Sequence, residues 1–179
     1  IDKADRILPF EDDDVAEIIS ESLEKHGATI HHGSSLKRME IKNGKVEYEL
    51  EYKDGTTEII NVDKALVSVG RIANVEGLGL ENAGVKLNER DSIWDDDTQT
   101  NISNIYVAGD VTTEMALVNV GEREARHAVV RMFGPTIKPL SYQNISTIMF
   151  LNPEVASVGM NEKDNNNIVL AHMAVIFDL

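Results

Sequence analysis

The sequence contains no cysteine, so it holds no disulfide, no thiolate metal site and no thiol nucleophile of its own. Any dithiol chemistry associated with it must come from other residues. Basic residues are scarce as well: 17 Lys and Arg stand against 31 Asp and Glu, a formal charge of −14. That balance argues against a nucleic-acid surface or an anionic membrane as partner. No apolar run reaches the roughly 18 residues a membrane span requires, and no basic-then-apolar leader opens the chain, which starts abruptly at Ile1-Asp2-Lys3. There is no internal repeat. The 42% apolar content over 179 residues is nonetheless enough for one ordinary domain or two small ones. Two Asn-Ile-Ser triplets, at Asn101 and Asn144, match the glycosylation sequon, but nothing else points to secretion.

From Glu11 to Lys25, Val15, Ile18, Ile19 and Leu23 share one helical face, acids crowd the first turn and Gly27 stops the run. Short strands are expected at Ala28 to His32 and at Ser35 to Ile41. Asn43-Gly44 is a hairpin turn, Val46-Tyr48-Leu50-Tyr52 alternates strictly, and Asp54-Gly55 returns the chain through Thr57 to Val62. A three-stranded antiparallel meander follows from these signals. Ala65 to Val69 is nearly continuous in apolar residues, as expected of a strand buried on both faces, and ends in Gly70-Arg71. The turn-rich stretch Ile72 to Asn104 reads as a connection between domains. A second buried strand, Ile105 to Ala108, stops at Gly109-Asp110. A helix is expected from Met115 to Phe133, packing through Ala116, Val120, Ala125, Val129 and Met132 and closed by Gly134-Pro135. Strands follow at Thr147 to Phe150 and Val155 to Val158, and an apolar segment runs from Ile168 to Phe177.

The most specific signal is Thr100-x-x-x-x-Ile-Tyr-Val-Ala-Gly109-Asp110, a buried strand that delivers Gly-Asp at its carboxyl end. Open α/β sheets bind ligands at that end; an Asp there can accept hydrogen bonds from a polyol, and Gly admits a cofactor to the backbone. The pattern resembles the second FAD-binding motif of the two-dinucleotide-binding flavoproteins, the pyridine nucleotide-disulfide oxidoreductase family. Three further landmarks stand in the family's order. Gly70-Arg71-Ile72-Ala73-Asn74 resembles the Gly-Arg-x-Pro-Asn return to the FAD domain, without its Pro. Ala116-Leu117-Val118-Asn119 occupies the place of a Met-Leu-Ala-His stretch typical of dihydrolipoamide dehydrogenases, with Asn119 where His is usual. Asn152 to Gly159 resembles the opening of the interface domain.

The resemblance implies an α/β fold: incomplete FAD/NAD(P)-binding Rossmann-like layers, the meander, and the start of an α+β dimer-interface domain. Residues 1–71 would be the C-terminal part of the NAD-binding domain, 72–140 the returning segment of the FAD-binding domain and 141–179 the beginning of the dimerisation domain. FAD would lie on Gly109, Asp110, Ala116, Leu117, Val118 and Asn119, with Asp110 on a ribityl hydroxyl. NAD would lie on Asp2, whose carboxylate takes the adenosine ribose hydroxyls and repels a 2′-phosphate, on Leu36 near the adenine and on Gly70. The glycine-rich Gly77 to Gly84 is a decoy, its third Gly two residues late for a phosphate loop. His26, His31, His32, His127 and His172 show no metal spacing, so no metal is expected.

The resemblance covers about residues 1 to 163 and lacks the family's glycine-rich diphosphate loops, its redox Cys pair and its His-Glu couple. The chain is therefore expected to be an internal piece of a longer FAD- and NAD-dependent oxidoreductase, with no catalytic residue of its own and no turnover alone. The implied parent is a homodimer, cytoplasmic or in the mitochondrial matrix of a eukaryote, and acts on a small-molecule or protein-bound disulfide. Dihydrolipoamide with NAD is the nearest resemblance; mercuric reductase, glutathione reductase and soluble transhydrogenase share the same landmarks. A truncated, non-catalytic flavoprotein serving as a binding module is the other class of reading. Sheets without their central strands should expose edges that invite association.

Overall fold

The computed structural model describes residues 1–112, 115–135 and 137–162, together with the backbone of 175–177. The chain forms two compact units, Ile1–Val67 with Gln143–Leu179, and Ser68–Tyr142.

In the first unit, helix α1 (Asp13–Lys25) begins with acids in its first turn, where they face the positive end of the helix dipole. It buries Val15, Ala16 and Ile19, and Val15 and Ile19 join Val155 in a core flanked by Ile7, Leu8 and Met149. The meander is present as β1 (Ser34–Lys42), β2 (Lys45–Tyr52) and β3 (Thr57–Val62), antiparallel in that order. Its first turn places Asn43 and Gly44 at φ 53° and 76°, the left-handed pair a two-residue hairpin demands, so Lys42 pairs with Lys45. Alternation in β2 sorts the sheet chemically. Val46 faces Ile41 and Val62, and Tyr48 faces Met39 and Ile60. On the opposite face Glu47, Glu49 and Glu51 meet Arg38, Lys42 and Lys37, with Lys37 to Glu51 at 2.9 Å. These solvated pairs add little stability, and the buried side chain of β2 is Leu50, 0% exposed.

The antiparallel pair β6 (Ser146–Met149) and β7 (Glu154–Val158) belongs to the same unit, with the backbone of β8 (Val175–Phe177) beside β7. Buried Ser157 donates to Glu11 at 3.0 Å and shares a 2.7 Å bond with Thr147, while the Glu162 N–H donates to Asp12 at 2.8 Å. The segment Ile168 to Phe177 otherwise lies outside the described residues.

Two strand expectations in this part of the chain are corrected. Ala28 to His32 forms no ladder strand; it bonds the Asp2 to Ala4 segment through Asp2 N–H to His31 O at 2.9 Å and Gly33 N–H to Ala4 O at 2.8 Å. Asp2 accepts the Ala4 N–H at 2.9 Å and so bends that partner after two residues, too short for a ladder. His31 and His32 accordingly do not alternate across a strand, and His31 instead meets the Tyr52 hydroxyl at 2.7 Å. Ala65 to Val69 is neither a ladder strand nor buried: Leu66 and Val69 are 91% and 92% exposed. A strand is buried on both faces only between sheet neighbours, and no described segment pairs with this one.

The second unit contains helix α2 (Leu80–Ala83), the short strands β4 (Asp95–Asp96) and β5 (Gln99–Thr100), and helix α3 (Val118–Phe133). Its core joins Val85, Ile93 and Val107 to Val75, Leu80, Ile102, Ile105 and Val111. The stretch 72–104 is thus not a connection but supplies most of this core. Ile105 to Ala108 makes only an isolated bridge, Tyr106 to Gln99, although Val107 is buried as expected. The packing face of α3 also differs. Val120, Glu124 and Ala128 are buried at i, i+4 and i+8, whereas Ala125, Val129 and Met132 are exposed.

Ile19, 1% exposed against Val155, gives the sharpest stability test. Ile19→Ala should cost about 2–4 kcal/mol in urea denaturation followed on the first unit. Ile41→Thr, at a side chain 81% exposed, should cost under about 0.5 kcal/mol. Equal losses at the two positions would contradict this assignment of the core.

Candidate functional site

The second unit brings the Gly-Asp turn against the start of α3. Gly109 has φ 85°, a left-handed conformation that glycine adopts without strain, and a Cβ added there would meet no atom within 4 Å. The Thr112 N–H and hydroxyl both bond the Gly109 carbonyl at 3.0 Å and close the turn. Behind it, a Cβ added at Gly121 would sit 3.2 Å from the Gly109 Cα, so Gly121 lets the helix approach the turn closely. One helical turn further, the Glu124 carboxylate, 1% exposed, accepts the Gly109 N–H at 2.6 Å with one oxygen and the Tyr142 hydroxyl at 2.9 Å with the other. Asp110 then emerges on the surface, its side chain 58% exposed and bonded to Arg71 at 3.0 Å. Gly70, at φ 147°, immediately precedes that Arg.

Ala116, Val118 and Asn119 are exposed at the entry to α3, and Leu117 is half-buried. The N-cap residue is Leu117, not Asn119, and leucine has no oxygen with which to bond the helix amides. The Val120 and Gly121 N–H groups bond the Leu117 carbonyl, and the helix dipole makes this end favourable to negative charge. The open side of Gly109, the exposed Asp110 and this helix start fit a cofactor that carries hydroxyls and developing negative charge.

Asp97 anchors the far side of α3. Its carboxylate accepts the His127 ring nitrogen at 2.9 Å and the Leu140 N–H at 2.8 Å, with Arg131 at 3.5 Å. Arg131 also donates to the carbonyls of Asp96, at 2.8 Å, and Asp97. Burial by itself pushes the Asp97 carboxyl up, but the Leu140 amide, His127 and Arg131 together hold it below the usual carboxylate value of 3.8. Asp95 is shifted the other way, raised by burial and by the adjoining Asp96 and Asp97 charges against the Thr98 amide, which lowers it.

In the first unit, Asp2 and the start of β1 are drawn together, because the Ser34 N–H donates to the Asp2 carbonyl at 3.0 Å. Leu36, 46% exposed, lies two residues along that strand, at a register shift between Leu36 and Arg38. Beside them runs a groove of about 480 Å³ lined by Lys3, Gly33, Ser34, Ser35, Glu51, Tyr52, Lys53 and Gly55. Asp2 and Leu36 thus share one neighbourhood, while Gly70 falls in the second unit with Gly109 and Asp110.

Glu124, Gly121 and Tyr142 form the scaffold of the turn, and none of them stands out in the sequence. Glu124 is surrounded by Glu122, Arg123 and Arg126 and looks like part of a solvated face; its i+4 spacing from Val120 and to Ala128 is the signal that places it on the packed one.

A glycine turn open on one side above a helix start, with a carboxylate beside it, is the arrangement α/β proteins use where a nucleotide cofactor approaches the backbone. Residues 1–125 match the sequence profile of the pyridine nucleotide-disulphide oxidoreductase family, and the chain belongs to that family. It is 37% identical over 166 residues to the dihydrolipoyl dehydrogenase of Corynebacterium glutamicum, covering 91% of this chain and 35% of that protein. The soluble pyridine nucleotide transhydrogenase of Pseudomonas aeruginosa is 32% identical over 169 residues, 92% of this chain and 34% of that protein. Among solved structures, the HOCl-induced flavoprotein disulfide reductase RclA of Escherichia coli superposes with a TM-score of 0.82 at 25% identity, covering 94% of this chain and 38% of that one. The chain spans 35% and 34% of the length of the two curated relatives. The fold is accordingly the expected one, and no helix among the described residues is long and apolar enough to cross a membrane.

The Asp97 carboxylate yields a pH prediction. Its value is depressed in the folded chain, so its contribution is present above the ordinary value of 3.8 and is lost as pH falls through the lower folded value. Asp97→Asn should therefore destabilise the second unit by about 1–3 kcal/mol at pH 7, and the difference from the parent chain should shrink as pH drops below 3.8. A difference constant from pH 7 to pH 2 in thermal unfolding would remove Asp97 from this role.

Proposed function

We propose that the chain is the part of an FAD-dependent, NAD-linked disulfide oxidoreductase that carries half of each dinucleotide site, and that the activity is dihydrolipoyl dehydrogenase-like. The observation that carries this reading is the Gly109-Asp110 turn, open on one side, with its carboxylate exposed at the start of α3. Family membership and the matches to dihydrolipoyl dehydrogenases support it. The bound flavin would supply hydride transfer between a dithiol and the nicotinamide, and with no Cys here the disulfide belongs to residues outside this chain.

The chain's own residues would bind and orient. Asp110, paired with Arg71, would accept a ribityl hydroxyl. Gly109 would admit the flavin to the backbone, and Ala116 to Asn119 would set the helix amides toward it. Asp2 would take the adenosine ribose hydroxyls of NAD and repel a 2′-phosphate, with Leu36 against the adenine and Gly70 beside the nicotinamide nucleotide. Residues 1–71, 72–140 and 141–179 would then be parts of the NAD-binding, FAD-binding and interface domains, in a homodimer. The chain alone would not turn over.

In the complete encoded polypeptide, Asp110→Ala should weaken FAD binding by roughly 1–3 kcal/mol, because a ribityl hydroxyl is left unpaired. Flavin content after purification measures this, and undiminished content would remove Asp110 from the site. Asp2→Ala should lower the preference for NAD over NADP; an unchanged ratio of the two affinities would count against Asp2.

A further inference from the structure

A carboxylate that is 1% exposed and lies on the packed stripe of a helix is costly unless it does something with its charge. Glu124 directs one oxygen to the Gly109 N–H, at 2.6 Å, and the other to the Tyr142 hydroxyl, at 2.9 Å. Three residues earlier, Gly121 lacks the Cβ that would press against the Gly109 Cα. Residues i and i+3 lie on one side of a helix, so this side of α3 meets a single peptide unit, the one that joins Ala108 to Gly109. We propose that Glu124 is the positioning residue of the flavin site: its carboxylate fixes the Gly109 amide and, through it, the direction in which Asp110 leaves the turn.

The left-handed φ of 85° at Gly109 is where this control matters. Glycine enters that region freely but also leaves it freely, so an open glycine turn does not hold its own geometry. A hydrogen bond to a charged acceptor is stronger than a neutral one and confines the amide to one direction. Thr112 closes the turn on the carbonyl side of Gly109, and Glu124 closes it on the amide side. Without Glu124 the Ala108–Gly109 peptide could rotate, and the turn would no longer hold one direction for Asp110. Tyr142 takes up the second carboxylate oxygen, and so Glu124 has a donor on each side of its carboxyl group.

The inference rests on Asp110 contacting the flavin, and the test separates the two. In the 179-residue chain, hydrogen exchange at the Gly109 amide should be slowed by the bond to Glu124. Glu124→Leu should raise that exchange rate roughly 10-fold to 100-fold, the range expected for a bond to a charged group. Glu124→Gln, whose amide oxygen can still accept from Gly109 while its NH2 donates to Tyr142, should recover most of the protection. In the complete encoded polypeptide the same series should lose and recover flavin content in parallel. Unchanged Gly109 exchange in Glu124→Leu overturns the proposal, as does a loss of protection spread evenly over the second unit. If Glu124→Leu releases no flavin while Asp110→Ala does, Glu124 alone is wrong; if neither does, the flavin reading itself fails. Should Glu124→Leu not fold, Tyr142→Phe decides: removing one donor should shift the Gly109 amide resonance with the flavin retained, and an unmoved resonance overturns the proposal.

Discussion

Glu124 sits among buried apolar side chains of α3 with a charge that cannot reach water, and the Gly109 N–H and the Tyr142 hydroxyl are the donors turned toward it. The local structure of the second unit follows from satisfying that charge. Gly109 presents its amide to Glu124, Gly121 lacks the side chain that would crowd the turn, and the left-handed Gly109 is followed by Asp110 at the surface. Asp97 does comparable work at the other end of the helix, where His127, Arg131 and the Leu140 amide converge on a carboxylate 17% exposed. Two anchored acids thus fix α3 along its length, while the acid that would meet a ligand stays outside.

The first unit divides its residues the same way. Glu11, Asp12 and Ser157 are buried and tie the chain around α1 to the β6–β7 pair. Asp2 and Leu36, expected at the nucleotide, are partly open beside a groove. Polar groups that hold the fold are sequestered and bonded, as burial requires; those available for recognition keep part of their surface.

Signals that act within a few residues were legible in the sequence. The acidic start and Gly27 stop of α1, the Asn43-Gly44 turn and the strict alternation of β2 each act over a few residues, and each is present. Ala65 to Val69 was read as a buried strand because its composition is that of one, but a strand exists only beside a neighbour, and no described segment pairs with this one. Ile105 to Ala108 kept its buried Val107, but its pairing stops at one bridge between Tyr106 and Gln99. Of the site, Gly109 and Asp110 could be read from their pattern, whereas Glu124, set among Glu122, Arg123 and Arg126, was marked only by its i+4 spacing to Val120 and Ala128.

The proposed contact of the Gly109-Asp110 turn with a flavin ties these features to function. The most direct measurement is a crystal structure of the complete encoded polypeptide with FAD bound. The Asp110 carboxylate should lie at hydrogen-bond distance, about 2.5–3.0 Å, from a ribityl hydroxyl, with the Gly109 amide still on Glu124. A flavin bound elsewhere, with Asp110 engaged by Arg71 alone, would contradict it.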